Sequence, residues 1–222
     1  MAENPVHRSE VEVQTRDASL VGDLAVPESP RGLVLFAHGS GSSRLSPRNR
    51  AVADVLNAAH LATLLFDLLT PREHALDQRT AELRFDIPLL ATRLVGAVDW
   101  VAKQEFLDGL PLGLFGASTG AAAALIAAAE RPAQVRTVVS RGGRPDLADE
   151  TLPKVRCPVL LIVGGRDGVV IAMNRGAAGK LSGEHRLEIV PDATHLFEEP
   201  GKLEAVADLA AEWFRRKLGG SA

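Results

Sequence analysis

The sequence predicts an α/β fold of one domain spanning residues 1–222: a mainly parallel central sheet with helices on both faces, an antiparallel N-terminal edge and no cap domain. Three observations carry that prediction. Short continuous apolar runs recur along the chain, as suits strands buried on both faces. Segments with apolar residues on one helical face separate these runs. Near the start, two stretches instead alternate polar and apolar residues, the pattern of half-buried antiparallel strands.

Taken in order, residues 11–15 and 19–26 form the alternating pair, joined through Arg16, Asp17 and Ala18. The buried runs are 32–37, 62–66, 111–115, 135–140, 159–163 and 186–190. Val52, Val55, Leu56 and Ala59 share a helical face, as do Leu83, Ile87, Leu90, Leu94 and Val101. An alanine-rich stretch at 121–129 reads as a close-packed core helix, and Val206, Leu209, Trp213 and Phe214 repeat the helical spacing near the C-terminus. Alternation of strand and helix places a ligand crevice beyond the carboxyl ends of the strands, so chemistry is expected just after each strand. Residues 68–84, rich in Arg, Glu and Gln, fit a mobile loop, a short helix or a rim of the site. Only residues 141–156 separate the fourth run from the fifth, too few for a cap domain.

Composition removes several function classes. A chain of 222 residues that is 46% hydrophobic can bury one sizeable core. The formal charge of −3, with both signs mixed along the chain, lacks a basic footprint, so no nucleic-acid partner is expected. Cys157 is the lone cysteine; it rules out an internal disulfide and a cysteine-rich metal cluster, and in Val-Arg-Cys-Pro-Val-Leu it reads as a small apolar residue at the start of a buried strand. Residues 1–5 are polar and lack the apolar run of a secretory signal, and 121–129 falls short of the ~20 residues a bilayer span needs. A cytoplasmic protein without a membrane partner is expected; nothing in the sequence indicates its oligomeric state.

The chemistry-bearing segments follow the predicted strands. Gly116-Ala117-Ser118-Thr119-Gly120 lies between a strand and the alanine-rich helix, where G-x-S-x-G places a serine on a sharp, exposed turn. A serine hydroxyl is a weak nucleophile until a base takes its proton. His195, in Asp192-Ala193-Thr194-His195-Leu196-Phe197 after the last strand, is the expected base. His7, in the N-terminal tail, and His60, His74 and His185 fall outside the strand ends and read as surface residues. The base needs a carboxylate to fix its tautomer, and Asp167 in Gly164-Gly165-Arg166-Asp167-Gly168 is expected to supply it. Asp146, after the preceding strand, is the alternative acid, while Asp67 and Asp192 read as caps of turns. The glycine- and serine-rich segment His38-Gly39-Ser40-Gly41-Ser42-Ser43 suits an oxyanion hole, with backbone N–H groups of Ser40 and Thr119 as donors and His38 as a brace of the loop. Arg141 and Arg144, near one strand end, are candidates to bind an anionic substrate group.

Together these segments resemble the α/β-hydrolase superfamily, in its compact dienelactone-hydrolase-like branch. The resemblance runs over residues 11–218 and rests on the His38-Gly39 loop, the serine elbow, Ser140-Arg141-Gly142-Gly143-Arg144-Pro145-Asp146, Gly164-Gly165-Arg166-Asp167 and the segment 193–201 around His195. It implies hydrolysis of an ester or related acyl compound without a dissociable cofactor. Dienelactone hydrolases proper use a cysteine where Ser118 stands, so the branch's name is not read as an activity. The expected function is a serine hydrolase that cleaves small soluble carboxylic esters through an acyl-enzyme, with no metal and with a small-molecule ester as its partner. Acyl transfer or perhydrolysis by the same triad, and a catalytically silent scaffold that binds a ligand, are the alternatives.

Overall fold

The computed structural model of the protein describes residues 5–219; residues 1–4 of the polar N-terminal stretch and residues 220–222 lie outside it. The apolar runs form the middle of one eight-stranded sheet. Its strands are β1 (Val6–Gln14), β2 (Ser19–Pro27), β3 (Leu33–Ala37), β4 (Ala62–Phe66), β5 (Leu112–Ala117), β6 (Val135–Arg141), β7 (Val159–Gly164) and β8 (His185–Val190). They lie in the order β1-β2-β4-β3-β5-β6-β7-β8, antiparallel from β1 through β2 to β4 and parallel thereafter. The helices are α1 (Pro47–Ala58), α2 (Pro71–Thr80), α3 (Ile87–Val101), α4 (Thr119–Glu130), α5 (Gly168–Ala178) and α6 (Lys202–Leu218).

Strands β3, β4, β5 and β7 are buried at every position because both of their faces are covered. Successive side chains point to opposite faces. Leu35, Leu64, Leu114 and Leu161 pack in the core shared with α3 and α4. Phe36, Leu65, Phe115 and Ile162 pack in the core shared with α1 and α6. Helix α4 carries Ala121, Ala122, Ala123 and Ala124, all fully buried, so its backbone can lie close to the sheet.

The two edges differ from the sequence reading. Strand β1 begins at Val6 rather than at residue 11, because an edge strand paired only with β2 needs no continuous apolar face. His7 is therefore a strand residue opposite Val26, not part of a tail. At the other edge β8 pairs only with β7, and its apolar-looking run is largely uncovered. Residues 68–84 resolve as helix α2 followed by a 3-10 turn at Leu83–Phe85. Thr70 and Glu73 form a reciprocal capping box, with Pro71 in the first turn. The Asp77 carboxylate then accepts from Arg84 Nε at 2.8 Å and Arg84 N at 2.9 Å, folding the turn back onto the helix.

The strand order also locates the crevice. From β3 the chain moves one way to β4 and later the other way to β5, so the connections after β3 and β5 diverge at their carboxyl ends. Between β6 and β7 the only ordered insertion is the 3-10 segment Pro145–Lys154, and no cap domain stands over the crevice. Among the described residues no helix is long and apolar enough to cross a membrane.

Candidate active site

Ser118 occupies the whole turn between β5 and α4, with φ 50° and ψ −120°. That left-handed conformation costs a non-glycine residue about 1–3 kcal/mol and persists only where its surroundings enforce it. Here Ser118 N–H donates to the Arg141 carbonyl at 3.2 Å, and the Ser118 carbonyl accepts from Ala121 N and Arg144 N at 3.1 Å each. The flanking glycines are set by close approach. A Cβ at Gly116 would lie 2.4 Å from Ala121 Cα, and one at Gly120 would lie 2.2 Å from the Ala37 carbonyl oxygen.

The segment after β3 faces this elbow. Ser40 Oγ and Thr119 Oγ1 lie 3.0 Å apart, and Ser40 Oγ reaches the Arg84 carbonyl at 3.3 Å. Among the described residues neither the Ser40 nor the Thr119 backbone N–H donates to another backbone group. His38 braces the loop: its Nδ1 lies 3.0 Å from the Gly39 carbonyl and its Nε2 accepts from Leu68 N at 3.1 Å. That pattern requires the neutral ring, and burial lowers the His38 pKa in the same sense. Asp67 holds the next turn by accepting from Arg44 N and Nη1 at 2.8 and 2.9 Å.

Asp167 and His195 meet across the ends of β7 and β8. His195 Nδ1 lies 2.6 Å from Asp167 Oδ2. A carboxylate can only accept, so Nδ1 carries the proton and Nε2 is left as the basic nitrogen. The other oxygen, Oδ1, caps α5 by accepting from Val170 N at 3.4 Å, which fixes the carboxylate's plane. The His195 ring rests against Gly142: a Cβ there would lie 3.4 Å from His195 Cε1 and 3.1 Å from its carbonyl oxygen. Gly142 adjoins Arg141, whose carbonyl holds Ser118, so serine and histidine flank the same backbone. No hydrogen bond joins Ser118 Oγ to His195 among the described residues.

The alternative acid is elsewhere engaged. Asp146 accepts from Arg144 Nε and Nη2 at 2.9 and 2.8 Å, and is not bonded to His195. Arg144 is thereby neutralised, whereas Arg141 is buried without an acidic partner among the described residues. His60, His74 and His185 bond to Glu28, Gln78 and Gly183 respectively, and none is bonded to Asp167 or Ser118. Sequence reasoning did not find the Ser40–Thr119 hydroxyl contact or the seating of Arg84 beneath Ser40. The Thr70-x-x-Glu73 box with Pro71 was the available signal for α2 and hence for where Arg84 lies.

Residues 30–212 match the family model of the alpha/beta hydrolase domain. The chain belongs to the α/β-hydrolase family. This α/β hydrolase is 58% identical to a dienelactone hydrolase from Anabaena variabilis, whose crystal structure superposes with a TM-score of 0.94 over 96% of this chain and 98% of that one. Est1E from Butyrivibrio proteoclasticus, seen with ferulic acid bound, shares the fold at a TM-score of 0.79 with 16% identity, over 95% of this chain and 100% of that one. A Mycobacterium tuberculosis protein named "Putative phosphoribosyl transferase" is 56% identical over 99% of this chain, which spans only 48% of that longer protein.

The hydrolase's lone cysteine stands apart from this arrangement. Cys157 precedes β7 and packs against the core under the sheet, and burial pushes its thiol pKa up to about 11. Raising the pKa depletes the reactive thiolate at neutral pH. Iodoacetamide at pH 7.5 is therefore expected to label Cys157 slowly, as followed by intact mass; rapid stoichiometric labelling would contradict this. A groove of about 480 Å³ between β1, β2, β4 and α1 includes none of Ser118, Asp167 and His195. Of its charged groups, Arg8 pairs with Asp54 and Arg50 with Asp23 at 2.9 Å each, and Glu10 with Arg44 at 3.2 Å.

Proposed function

We propose that this α/β hydrolase is a serine esterase that cleaves small carboxylic esters through an acyl-enzyme. One observation carries the reading: a serine held in a strained strand-to-helix turn is bonded to Arg141, and the next residue, Gly142, backs the ring of a histidine whose Nδ1 a carboxylate grips at 2.6 Å. His195 Nε2 takes the Ser118 proton as Oγ attacks the ester carbonyl, and the resulting oxyanion accepts from the N–H groups of Ser40 and Thr119. The imidazolium, stabilised by ionised Asp167, protonates the departing alcohol. Water then enters, gives its proton to His195 and attacks the acyl-serine, releasing the acid and restoring the hydroxyl.

Substrate size follows from the open crevice. The 3-10 segment Pro145–Lys154 borders it but does not form a cap, so a long acyl chain would remain largely in water. Each unburied methylene forgoes roughly 0.8 kcal/mol. Two measurements test the function: labelling by a fluorophosphonate, and kcat/KM for p-nitrophenyl acetate, butyrate, octanoate and palmitate below and above their solubility limits. Stoichiometric label on Ser118, a preference for acetate or butyrate, and no jump in rate when droplets form are expected. Absence of label would sink the mechanism, and a rise toward palmitate would sink the size argument.

A further inference from the structure

We propose that Arg141 and Arg48 form an anion-binding subsite beside Ser118, which takes a carboxylate or phosphate group carried by the ester; this rests on the hydrolytic reading above. Alternate residues of β6 point toward α1 and α6. Thr137 Oγ1 accepts from Trp213 Nε1 of α6 at 2.7 Å, Val139 packs in the core shared with α1 and α6, and Arg141 follows at the carboxyl end of the same face. There it comes under the influence of Arg48, in the first turn of α1.

The charges at this point are not balanced. Arg141 is 7% exposed, yet its Nη1 has no hydrogen-bond partner among the described residues, and neither has the buried Nε of Arg48. Glu198 lies 3.1 Å from Arg48 Nη1 but is largely exposed. Other arginines around the crevice are matched: Arg44 by Asp67, Arg84 by Asp77 and Arg144 by Asp146. Burial, and then the like charge of Arg48, lower the Arg141 pKa to about 10, which still leaves it cationic at neutral pH. A guanidinium N–H taken out of water without a partner is unfavourable, and the positive end of the α1 dipole adds to the imbalance. A bound anion relieves all three. Guanidinium forks match the paired oxygens of carboxylates and phosphates.

Position ties the subsite to the reaction. The Arg141 carbonyl accepts the Ser118 N–H, and the next residue, Gly142, supports the His195 ring. Arg141 is thus tied to the nucleophile through its backbone, and an acid group gripped by its guanidinium would anchor a short ester within one arginine side chain's reach of Ser118.

The test compares p-nitrophenyl butyrate with the p-nitrophenyl monoester of glutaric acid, which differs by one terminal carboxylate, each corrected for spontaneous hydrolysis. The wild type should favour the glutarate ester. In Arg141→Met and in Arg48→Met the glutarate-to-butyrate ratio of kcat/KM should fall roughly ten- to hundredfold, chiefly through KM, as for loss of a charge-assisted hydrogen bond. Two variants are used so that poor folding of one leaves the comparison intact. No wild-type preference, or proportional losses on both esters, would overturn the subsite. Inorganic phosphate and glutarate are also added to Ser118→Ala protein, with and without Arg141→Met, and Tm is recorded. An Arg141-dependent rise with either anion supports the site even if no ester is turned over, in which case the hydrolytic reading alone fails. A rise with phosphate but an unchanged ester ratio would mean a free-anion site and overturn the assignment to substrate.

Discussion

Purified Ser118→Ala protein is expected to fold normally and to lose up to about a millionfold in kcat, the scale seen when the nucleophile of an unrelated serine protease is removed. Alanine keeps the small side chain the elbow requires, and the backbone bonds to Arg141, Ala121 and Arg144 that hold the turn do not involve the hydroxyl. Far-ultraviolet circular dichroism and Tm should therefore match the wild type, while p-nitrophenyl acetate hydrolysis falls to background. Retention of the wild-type rate in folded protein would remove Ser118 from the mechanism.

Asp167→Asn should cost on the order of 10⁴ in kcat, because an amide donates where the carboxylate accepted. His195 would then hold its proton on Nε2 and lose its function as a base. The amide oxygen can still cap α5, where Asp167 now accepts from Val170 N, so stability should change little. Asp146→Asn serves as the comparison: it weakens the grip on Arg144 but leaves the Asp167–His195 contact in place. Steady-state kinetics on both variants decide the assignment, and a larger loss in folded Asp146→Asn would transfer the role to Asp146.

Much of the architecture was legible in local pattern. Continuous, largely apolar runs marked β3 to β7 because strands covered on both faces bury nearly every side chain, and three- and four-residue spacing marked α1, α3 and α6. The edges were less legible. An edge strand lacks a second neighbour, so β1 could extend through polar residues to Val6, and β8 could carry an apolar-looking run that solvent reaches.

The sequence by itself determined which residue types follow which strand: Ser118 after β5, Asp167 after β7 and His195 after β8, each beside small residues that permit tight turns. Such placement is local, since a strand end and a turn are encoded within a few neighbouring residues. Tertiary structure decided the pairings. Whether Asp146 or Asp167 meets His195 depends on which strand ends adjoin and on which carboxylate an arginine has already taken, and those are contacts between residues far apart in the chain. The same holds for the two candidate arginines, indistinguishable in sequence. Arg144 reaches an aspartate two residues away, whereas Arg141 is turned by the strand's two-residue period toward the face that carries Arg48 and has no acidic partner among the described residues.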